Sequence, residues 1–370
     1  MLRVTIVCSS LVRLGPTNVM FNMLQAYCKQ PEDVRFEIVT ISGELQDSRI
    51  QDFERLGLNI TSCKIQEGIT GIWHLKKLRA LILSTKPDIV HSYGFRADCL
   101  VGLMKLSGII KISSLFNNPH EDYPMLFGKV KGNLMAIVHL HIYRKFDKII
   151  VCSNFIADKI KASQLPISVI YTGVPSDYFV PLSDVERLNK RAELNISNNI
   201  KVWLFIGNLI PRKNPLFLIS AFKKMKLKDT ILMIMGDGPL MEECQVAIAE
   251  DSNIKLIGAQ PGTLEYLQIS DFYISASYSE GFPTAVLEAM SVGVLPVLSD
   301  INPHIEMVSN LSNSCIFKND DFVSLSKIIS ENMVSPTKSK PREYLLSHFS
   351  AHIMQKRYVK CYHDLCKRIF

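Results

Sequence analysis

The segment DFYISASYSEGFPTAVLEAMSVG (residues 271–293) has the pattern of a buried β-strand that passes through a short loop into a helix. The apolar run at 272–275 predicts the strand, the serines and Gly281 predict the loop, and Pro283 suits the first turn of the helix. A strand followed directly by a helix is the repeating unit of parallel α/β sheets, in which ligands bind at the carboxyl ends of the strands. This segment therefore predicts a ligand site at such an edge.

Two glutamates flank the start of this predicted helix. Glu280 comes directly before Gly281, and Glu288 lies in the second turn, from which we expect it to project towards the ligand. The pair can bind hydroxyl groups at two points of one sugar-containing ligand, while the helix N-terminus between them receives a phosphate. Two glutamates at this spacing arise by chance about once in a chain of this length, so the interpretation depends on their place in the strand–loop–helix unit.

The same alternation of short strands and longer helices extends along almost the whole chain, in two sets. In the first set we predict strands near residues 3–8, 36–41, 88–91, 111–116, 148–152 and 167–171. In the second set we predict strands near residues 201–206, 230–235, 254–257, 272–275, 294–298 and 314–317. Between the sets, the segment TGVPSDYFVPLSDVERL (172–188) is rich in Pro, Gly, Ser and Asp, as expected of a linker.

The length of 370 residues favours two domains, since domains average about 150 residues. We therefore expect an α/β protein with two Rossmann-like parallel-sheet domains that face a cleft, over residues 1–180 and 181–345. Residues 346–370 have helical character and are expected to form a C-terminal helix that crosses back and packs across both domains.

The composition excludes several classes of protein. With 47% hydrophobic and 21% charged residues, the chain is neither disordered nor collagen-like. Its apolar runs end well before the roughly 18 residues that a membrane span requires, and the N-terminus enters a β-rich run without signal-peptide features. The nine cysteines lack metal-site spacing and are expected to be free thiols. These features favour a cytoplasmic location.

The net charge of +7 is concentrated in the first half of the chain. Residues 1–180 contain 21 Lys and Arg against 15 Asp and Glu, a difference of +6. Such an excess fits an anionic ligand, a phospholipid surface, nucleic acid or an ordinary solubilising surface. No aromatic-studded strand or recognition helix accompanies it, so nucleic-acid binding is not expected.

Further strand-to-helix loops contain candidate phosphate-binding residues. In GNLIPRKNP (207–215), Arg212 and Lys213 place two cations beside the next helix, although adjacent basic residues in a loop are more often solvated. MGDGPL (235–240) is a second glycine-rich turn, or a plain tight turn. The first loop, CSSLVRLGPTN (8–18), has one glycine where a dinucleotide-binding fingerprint needs three, which argues against an NAD- or FAD-dependent oxidoreductase.

Five segments together carry a family resemblance. They are EGFPTAVLEAMSVGVLPVLSD (280–300), GNLIPRKN (207–214), GDGPL (236–240), DIVHSYGFRADCLVGLM (88–104) and NNPHEDYP (117–124). In this combination they resemble glycosyltransferase family 4, whose members have the GT-B fold. The resemblance covers nearly the whole chain, but it does not indicate which sugar is transferred.

The resemblance implies a retaining glycosyltransferase that uses a nucleoside-diphosphate sugar, with a UDP-sugar favoured. Lys213 and Arg212 would neutralise the leaving diphosphate, and Glu280 would hold a hydroxyl of the donor sugar. Glu288 would bind the ribose hydroxyls, and Gly258 would lie near the base. The other donor-binding residues implied in this way are Gly207, Asn208, Gly236, Gly281, Phe282, Pro283, Thr284 and, in the first domain, Gly15.

On the acceptor side, the resemblance points to Asn117, Asn118 and His120 in the first domain. The acceptor is expected to be a glycan, and with its basic acceptor domain the chain most resembles enzymes that extend lipid-linked O-antigen or capsule intermediates. A noncatalytic nucleotide-sugar-binding protein of the same fold is the alternative.

The sequence departs from the family pattern at three positions. Asn208 stands where the family usually has an arginine, a role that Arg212 would take over. Phe116 stands where many relatives have a histidine, which His120 would have to replace. Gly15 is followed by a proline instead of a second glycine.

The remaining histidines and the acidic residues give weaker signals. His91 ends a predicted strand and is either structural or reaches the cleft, whereas His139 and His141 are expected to be packing or surface residues. No Asp-x-Asp occurs anywhere in the sequence, so no metal cofactor is expected to bind the diphosphate.

The segment PMLFGKVKGNLMAIVHLHIYRKFDK (124–148) has basic ends and an apolar middle from Leu134 to Ile142, with Asp147 as its only acid. This pattern suits a helix that lies on an anionic membrane surface, with peripheral association at the inner face of the plasma membrane. A sheet-covering helix with basic flanks is an alternative of about equal weight.

Overall fold

The protein is built around two separate parallel β-sheets. A computed structural model describes residues 1–65, 72–311, 316–332 and 339–367. The chain divides into two compact units: unit 1 comprises Met1–Gly173 together with Ala351–Phe370, and unit 2 comprises Val174–Ser350.

Unit 1 contains a seven-stranded sheet in which neighbouring strands are parallel. Its strands are β1 (Leu2–Cys8), β2 (Val34–Thr40), β3 (Asn59–Ser62), β4 (Ile89–Tyr93), β5 (Ile110–Leu115), β6 (Lys148–Val151) and β7 (Ile167–Val169). Its first helices are α1 (Gly15–Lys29), α2 (Ile50–Arg55), α3 (Ile72–Ser84), α4 (Phe95–Leu103), α5 (Pro119–Phe127), α6 (Lys129–Tyr143) and α7 (Asn154–Ile160). The strand order is β3-β2-β1-β4-β5-β6-β7.

Unit 2 contains a six-stranded parallel sheet with the order β10-β9-β8-β11-β12-β13. Its strands are β8 (Lys201–Ile206), β9 (Thr230–Met235), β10 (Ile254–Gly258), β11 (Phe272–Ser275), β12 (Leu295–Ser299) and β13 (Ile316–Phe317). Its helices are α8 (Asp184–Glu193), α9 (Pro215–Met225), α10 (Met241–Ile248), α11 (Leu264–Ile269), α12 (Thr284–Ser291), α13 (Asn302–Val308), α14 (Phe322–Asn332) and α15 (Ser339–His348). Helices cover the central strands, which explains their nearly continuous apolar runs.

The strand order reverses direction at one point in each sheet. In unit 2 this point lies between β8 and β11, which pair through Trp203 with Phe272 and Leu204 with Tyr273. The loops that follow two such strands start side by side and run away from each other, which opens a crevice for a ligand. The topology therefore brings the loop after Ile206 next to the loop after Ser275.

The predicted fold class is confirmed, because both halves of the chain form parallel α/β sheets. Strand β3, Asn59–Ser62, was not expected from the sequence, because it is a short edge strand whose four residues NITS include only one large apolar side chain. Residues 314 and 315 of the last predicted strand lie outside the described residues, and Ile316–Phe317 form β13.

The C-terminal part of the chain differs from the single helix expected over 346–370. α15 ends at His348 and belongs to unit 2, whereas α16 (Ala351–Cys366) belongs to unit 1 and contributes to its core. The interruption coincides with Phe349, which is buried against Phe282 with 5.3 Å between the ring centroids. The chain also leaves unit 1 after Gly173, a few residues before the boundary expected near residue 180.

Candidate functional site

The loop after β8 positions the two predicted cations. A single 3-10 turn, Pro211–Lys213, precedes Asn214, whose φ of 53° is in the left-handed region, and α9 begins at the next residue. This turn brings the Lys213 side chain back over the start of the loop. A methyl group at Gly207 would lie 3.5 Å from Cε of Lys213, which is ordinary van der Waals contact.

Glycines allow the turn after β9 to pack directly on this loop. Gly236 has a φ of 143°, and a side chain there would overlap the carbonyl group of Gly207. At Gly238, a Cβ atom would lie 2.6 Å from the carbonyl oxygen of Leu209. The amide of Gly236 also donates to the carbonyl oxygen of Gly258 at 3.0 Å, so the backbone segments at the ends of β8, β9 and β10 pack directly against one another. Both positions therefore require glycine because the backbones approach so closely.

The loop after β11 is joined to the loop after β8 by hydrogen bonds. The amide of Tyr278 donates to the carbonyl oxygen of Arg212 at 2.8 Å, and Nη1 of Arg212 donates to the carbonyl oxygen of Ser279 at 2.5 Å. These bonds place Glu280 beside the two cations, although 67 positions separate Lys213 from it in the sequence.

Glu280 forms ion pairs with both cations. Nζ of Lys213 lies 2.5 Å from one carboxylate oxygen, and Nη1 of Arg212 lies 3.1 Å from the other. The Glu280 side chain is 7% exposed, whereas Lys213 and Arg212 are 16% and 21% exposed. Burial raises the pKa of Glu280, but the charges of Lys213 and Arg212 outweigh burial and lower the pKa to about 2. Glu280 is therefore ionised at neutral pH.

The helix N-terminus that follows Glu280 is open. α12 begins at Thr284 directly after Pro283, whose side chain makes no capping hydrogen bond. Phe282 is buried and packs against Phe349, which anchors the loop between Gly281 and the helix. A helix N-terminus without a capping side chain at its N-cap residue suits an anion.

Glu288 lies in the second turn of α12 and has a different environment from Glu280. Its carboxylate accepts a hydrogen bond from Oγ1 of Thr263 at 2.9 Å, and burial raises its pKa to about 7. Burial raises the pKa of the Tyr273 hydroxyl, and the charges of Glu280 and Glu288 raise it further.

His304 is a neighbour of this cluster that the sequence interpretation did not include. It is fully buried in the first turn of α13, and its Nδ1 lies 3.0 Å from the carbonyl oxygen of Ser299. A carbonyl oxygen only accepts, so Nδ1 carries the proton and Nε2 is an acceptor, and Nε2 has no partner among the described residues. Burial lowers the pKa of His304 to about 4, and Glu280 partly offsets this effect. The only sequence signal was its place after a strand end.

Comparisons with known proteins agree with this geometry. The family model described as "Glycosyl transferases group 1" matches residues 186–344, and the model described as "Glycosyltransferase Family 4" matches residues 17–178. The chain belongs to these glycosyltransferases.

Two curated relatives and one solved structure illustrate the similarity. The Escherichia coli UDP-Gal:alpha-D-GlcNAc-diphosphoundecaprenol alpha-1,3-galactosyltransferase is 27% identical over 75% of this chain and 72% of the relative. The Escherichia coli O-antigen biosynthesis glycosyltransferase WclY is 23% identical over 86% of each chain. The structure of Anabaena Alr3699/HepE in complex with UDP and glucose has a TM-score of 0.80 at 14% identity, over 98% of this chain and all of that one, and shows the shared GT-B fold.

Unit 2 of the glycosyltransferase thus brings most of the expected donor-site residues together. Asn208 differs from the other expected residues of unit 2, because its side chain is exposed on the loop after β8. Arg212, expected to replace the missing family arginine, is instead bound to Glu280 and Ser279. The roles of these residues in donor binding remain predictions.

The expected acceptor-side residues lie at the carboxyl edge of the unit 1 sheet. Asn118 caps α5, since its side-chain oxygen accepts from the amide of His120 at 3.2 Å and its amide group donates to Glu121 at 2.9 Å. His120 is exposed and Asn117 is partly buried. Gly15 is the exposed first residue of α1, with open space around its missing Cβ.

The other histidines of unit 1 are structural or exposed. His91 is fully buried and lies 2.8 Å from the Tyr362 hydroxyl and 2.9 Å from Oγ of Ser114, and burial lowers its pKa to about 3. His139 is buried beside Asp98, and His141 is exposed. The expectation for His139 and His141 is confirmed, and His91 has the first of its two proposed roles.

Proposed function

We propose that this glycosyltransferase moves a sugar, with retention of its anomeric configuration, from a nucleoside-diphosphate donor to a lipid-linked glycan acceptor. A UDP-sugar is the favoured donor, and an O-antigen or capsule intermediate is the favoured acceptor. The observation that carries the proposal is the cluster of Glu280, Lys213 and Arg212 at the carboxyl edge of the unit 2 sheet. The names of the relatives support it, since one combines UDP-Gal with a diphosphoundecaprenol-linked sugar.

The charge of this cluster suits a leaving diphosphate. Two cations against one carboxylate leave one net positive charge (2 − 1). Negative charge grows on the diphosphate as its bond to the sugar breaks, so nearby cations stabilise the transition state more than the bound donor. We infer that Lys213 and Arg212 contact the diphosphate and that the amides from Gly281 to Thr284 meet oxygens of the sugar and the phosphate.

The two glutamates would bind the two sugar rings of the donor, the transferred sugar and the ribose. Glu280 is ionised at neutral pH and held in place by its ion pairs, so it is prepared to accept a hydrogen bond from a hydroxyl of the donor sugar. Glu288 would accept from the ribose hydroxyls, and the backbone at Gly258 would face the base. The free Nε2 of His304 can accept from a further hydroxyl of the donor.

In the proposed reaction, the acceptor hydroxyl attacks the anomeric carbon from the face that the diphosphate leaves. The bond from the anomeric carbon to the phosphate oxygen breaks, the bond to the acceptor oxygen forms, and the acceptor proton passes to the departing phosphate oxygen. This route retains the configuration and uses no nucleophile from the protein. Unit 1, with Asn117, Asn118 and His120, would bind the acceptor.

A panel of nucleotide sugars tests the donor assignment. Thermal shift or saturation-transfer NMR on the full chain should identify a UDP-sugar, and Lys213→Ala should weaken its binding. Lys255→Ala is the matched control, because Lys255 is exposed on β10 away from the cluster. Absence of binding to every nucleotide sugar would refute the donor assignment, and an inverted anomeric configuration in the product would refute retention.

We also propose that transfer needs no divalent metal ion, because two protein cations already face the diphosphate and the sequence has no Asp-x-Asp. Turnover should persist in EDTA. Complete loss of transfer in EDTA, with restoration by Mn²⁺, would contradict this.

A noncatalytic nucleotide-sugar-binding protein is the second candidate. It is favoured by Phe116, which stacks on Tyr93 with 5.9 Å between ring centroids where many relatives have a histidine. Such a protein would bind the donor without releasing free nucleoside diphosphate in the presence of any acceptor, so an assay for released UDP separates the two candidates.

A further inference from the structure

The strongest feature outside the donor site is an exposed apolar surface on α5 and α6 of unit 1. We call it the apolar face; its residues are Met125, Leu126, Phe127, Val130, Leu134, Ile137 and Val138. Val130 is 87% exposed and Leu126 is 66% exposed. Single exposed apolar side chains are normal on soluble proteins, but a contiguous group of this kind marks an interaction surface.

α6, which carries four residues of the apolar face, is already packed on its other side. Gly132 packs against the backbone of Pro124 so closely that a side chain would overlap it. His139 is buried, with Nε2 2.8 Å from the Asp98 carboxylate and Nδ1 2.7 Å from the Tyr123 hydroxyl. α6 therefore already covers α4 and α5 with one side, and the exposed side chains recur at the three- and four-residue spacing of the opposite side.

Cations bracket the apolar face. Lys129 and Lys131 lie at the start of α6, and Arg144 and Lys145 follow its end, all four exposed. A helix of 15 residues is about 22 Å long, so the charges sit at both ends of the apolar stripe. In the segment 124–148 the only acid is Asp147, whose carboxylate accepts from the Lys111 amide at 2.7 Å.

We propose that α5 and α6 bind the surface of an anionic bilayer. The apolar face enters the boundary between headgroups and acyl chains, and the four cations contact the headgroups. A second copy of the chain fits this surface poorly, because a symmetric contact would bring the same cations against each other. None of the helices in the described part of the chain has the length and apolar character needed to cross a bilayer, and surface binding does not require one.

Vesicle flotation of the full-length protein tests the proposal, with phosphatidylglycerol-containing vesicles compared with pure phosphatidylcholine. Binding should favour the anionic vesicles and weaken in high salt, because salt screens the headgroup contacts. The measurement needs neither donor nor acceptor, so its outcome is independent of the proposed reaction.

Two sets of substitutions separate the apolar and the charged contributions. Replacing Val130, Leu134 and Ile137 with Ser, or Lys129, Lys131, Arg144 and Lys145 with Ser, should each weaken binding at least about tenfold. The apolar control is Val246→Ser with Val323→Ser, two exposed valines of unit 2. The charge control replaces Lys224, Lys226, Lys228 and Lys255 of unit 2, which are all exposed. Circular dichroism should show that every variant is folded.

Three results would overturn the proposal. The first is no binding to either vesicle, or equal binding to both. The second is binding that the substitutions in α6 reduce no more than their controls do. The third is a dimer of the free protein by light scattering that the Val130, Leu134 and Ile137 substitutions dissociate, because the face would then join two copies.

Discussion

Two ion clusters, each made of one buried carboxylate and two cations, lie at opposite ends of strand β11 in unit 2. Asp271 precedes the strand and pairs with Arg187 and Arg191, whereas Glu280 follows it and pairs with Arg212 and Lys213. In both clusters, burial raises the pKa of the carboxyl group, and its polar or charged partners outweigh burial and lower it. The pKa of the carboxylate therefore does not tell the two clusters apart.

Their hydrogen bonds and their places in the sheet do. Arg191 is 2% exposed and also donates to the carbonyl oxygens of Ile269 and Ile200, while Asp271 accepts from the amide of Val202 at 2.8 Å. Through these hydrogen bonds the Asp271 cluster links the amino end of β8 to the amino end of β11. The Glu280 cluster lies at the carboxyl ends, where parallel sheets bind ligands. Arg187 and Lys213 are almost equally exposed, at 15% and 16%, so the position of the Glu280 cluster at the carboxyl ends of the strands distinguishes it as the ligand site.

The largest effect should come from breaking the structural cluster. Asp271→Ala leaves the buried Arg191 and the partly buried Arg187 without their carboxylate, which should lower the free energy of unfolding by about 3–5 kcal/mol. Urea denaturation measures the change, and Glu243→Ala, at an exposed position of α10, is the control. If Asp271→Ala is no less stable than this control, the cluster is not structural.

Breaking the Glu280 cluster should affect turnover instead. Glu280→Ala and Lys213→Ala each remove charged contacts worth about 1.5–3 kcal/mol, so each should lower turnover at least about tenfold while the protein stays folded. Donor titrations of initial rate, with Lys255→Ala as control, measure the effect. Near wild-type rates in both variants would rule out the proposed site.

Glu288 sharpens the comparison, because burial raises the pKa of this carboxyl group to about 7 without a compensating cation. Donor affinity should fall about tenfold per pH unit below 7 if the ionised form binds the ribose hydroxyls. Since the folded state then holds a proton that the unfolded state has lost, Glu288 should also make stability decrease from about pH 4.5 to 7.

Calorimetric titration of the donor between about pH 6 and 8, about one unit either side of the pKa, checks the affinity. Glu288→Gln should flatten the profile. An unchanged profile in this variant would assign the pH dependence to another group.

The smallest effect is expected at His304. His304→Asn removes the Nε2 acceptor and keeps an amide group that can donate to Ser299, so it should raise the donor KM by about threefold with little change in stability. A KM equal to that of the unchanged protein, with the variant folded, would show that Nε2 does not meet the donor.

The sequence was sufficient to predict every described strand except β3, together with the loops of the candidate site. Glycines and prolines at strand ends mark such loops locally, as at Gly236, Gly281 and Pro283. These are features of residues close together in the chain.

Pairings between distant residues could not be predicted in this way. Asp271 is 80 positions from Arg191, and Glu280 is 67 positions from Lys213. The sequence indicated that Glu280 and Lys213 contact a ligand, but not that they contact each other. His304 was missed for the same reason, since its buried, unpartnered Nε2 is a property of the packing around it.

The return of α16 to unit 1 has a consequence for synthesis on the ribosome. Its buried residues Met354, Tyr358 and Tyr362 complete the core beneath α1, and the Tyr362 hydroxyl contacts His91 at 2.8 Å. Domains generally fold as units, in the order in which they emerge. Here the first unit lacks part of its core until α16 has been translated, whereas all of unit 2, Val174–Ser350, precedes α16. Unit 2 of the nascent enzyme is therefore expected to complete its folding first. Until α16 packs, the apolar surface of unit 1 that it covers stays exposed and can bind chaperones.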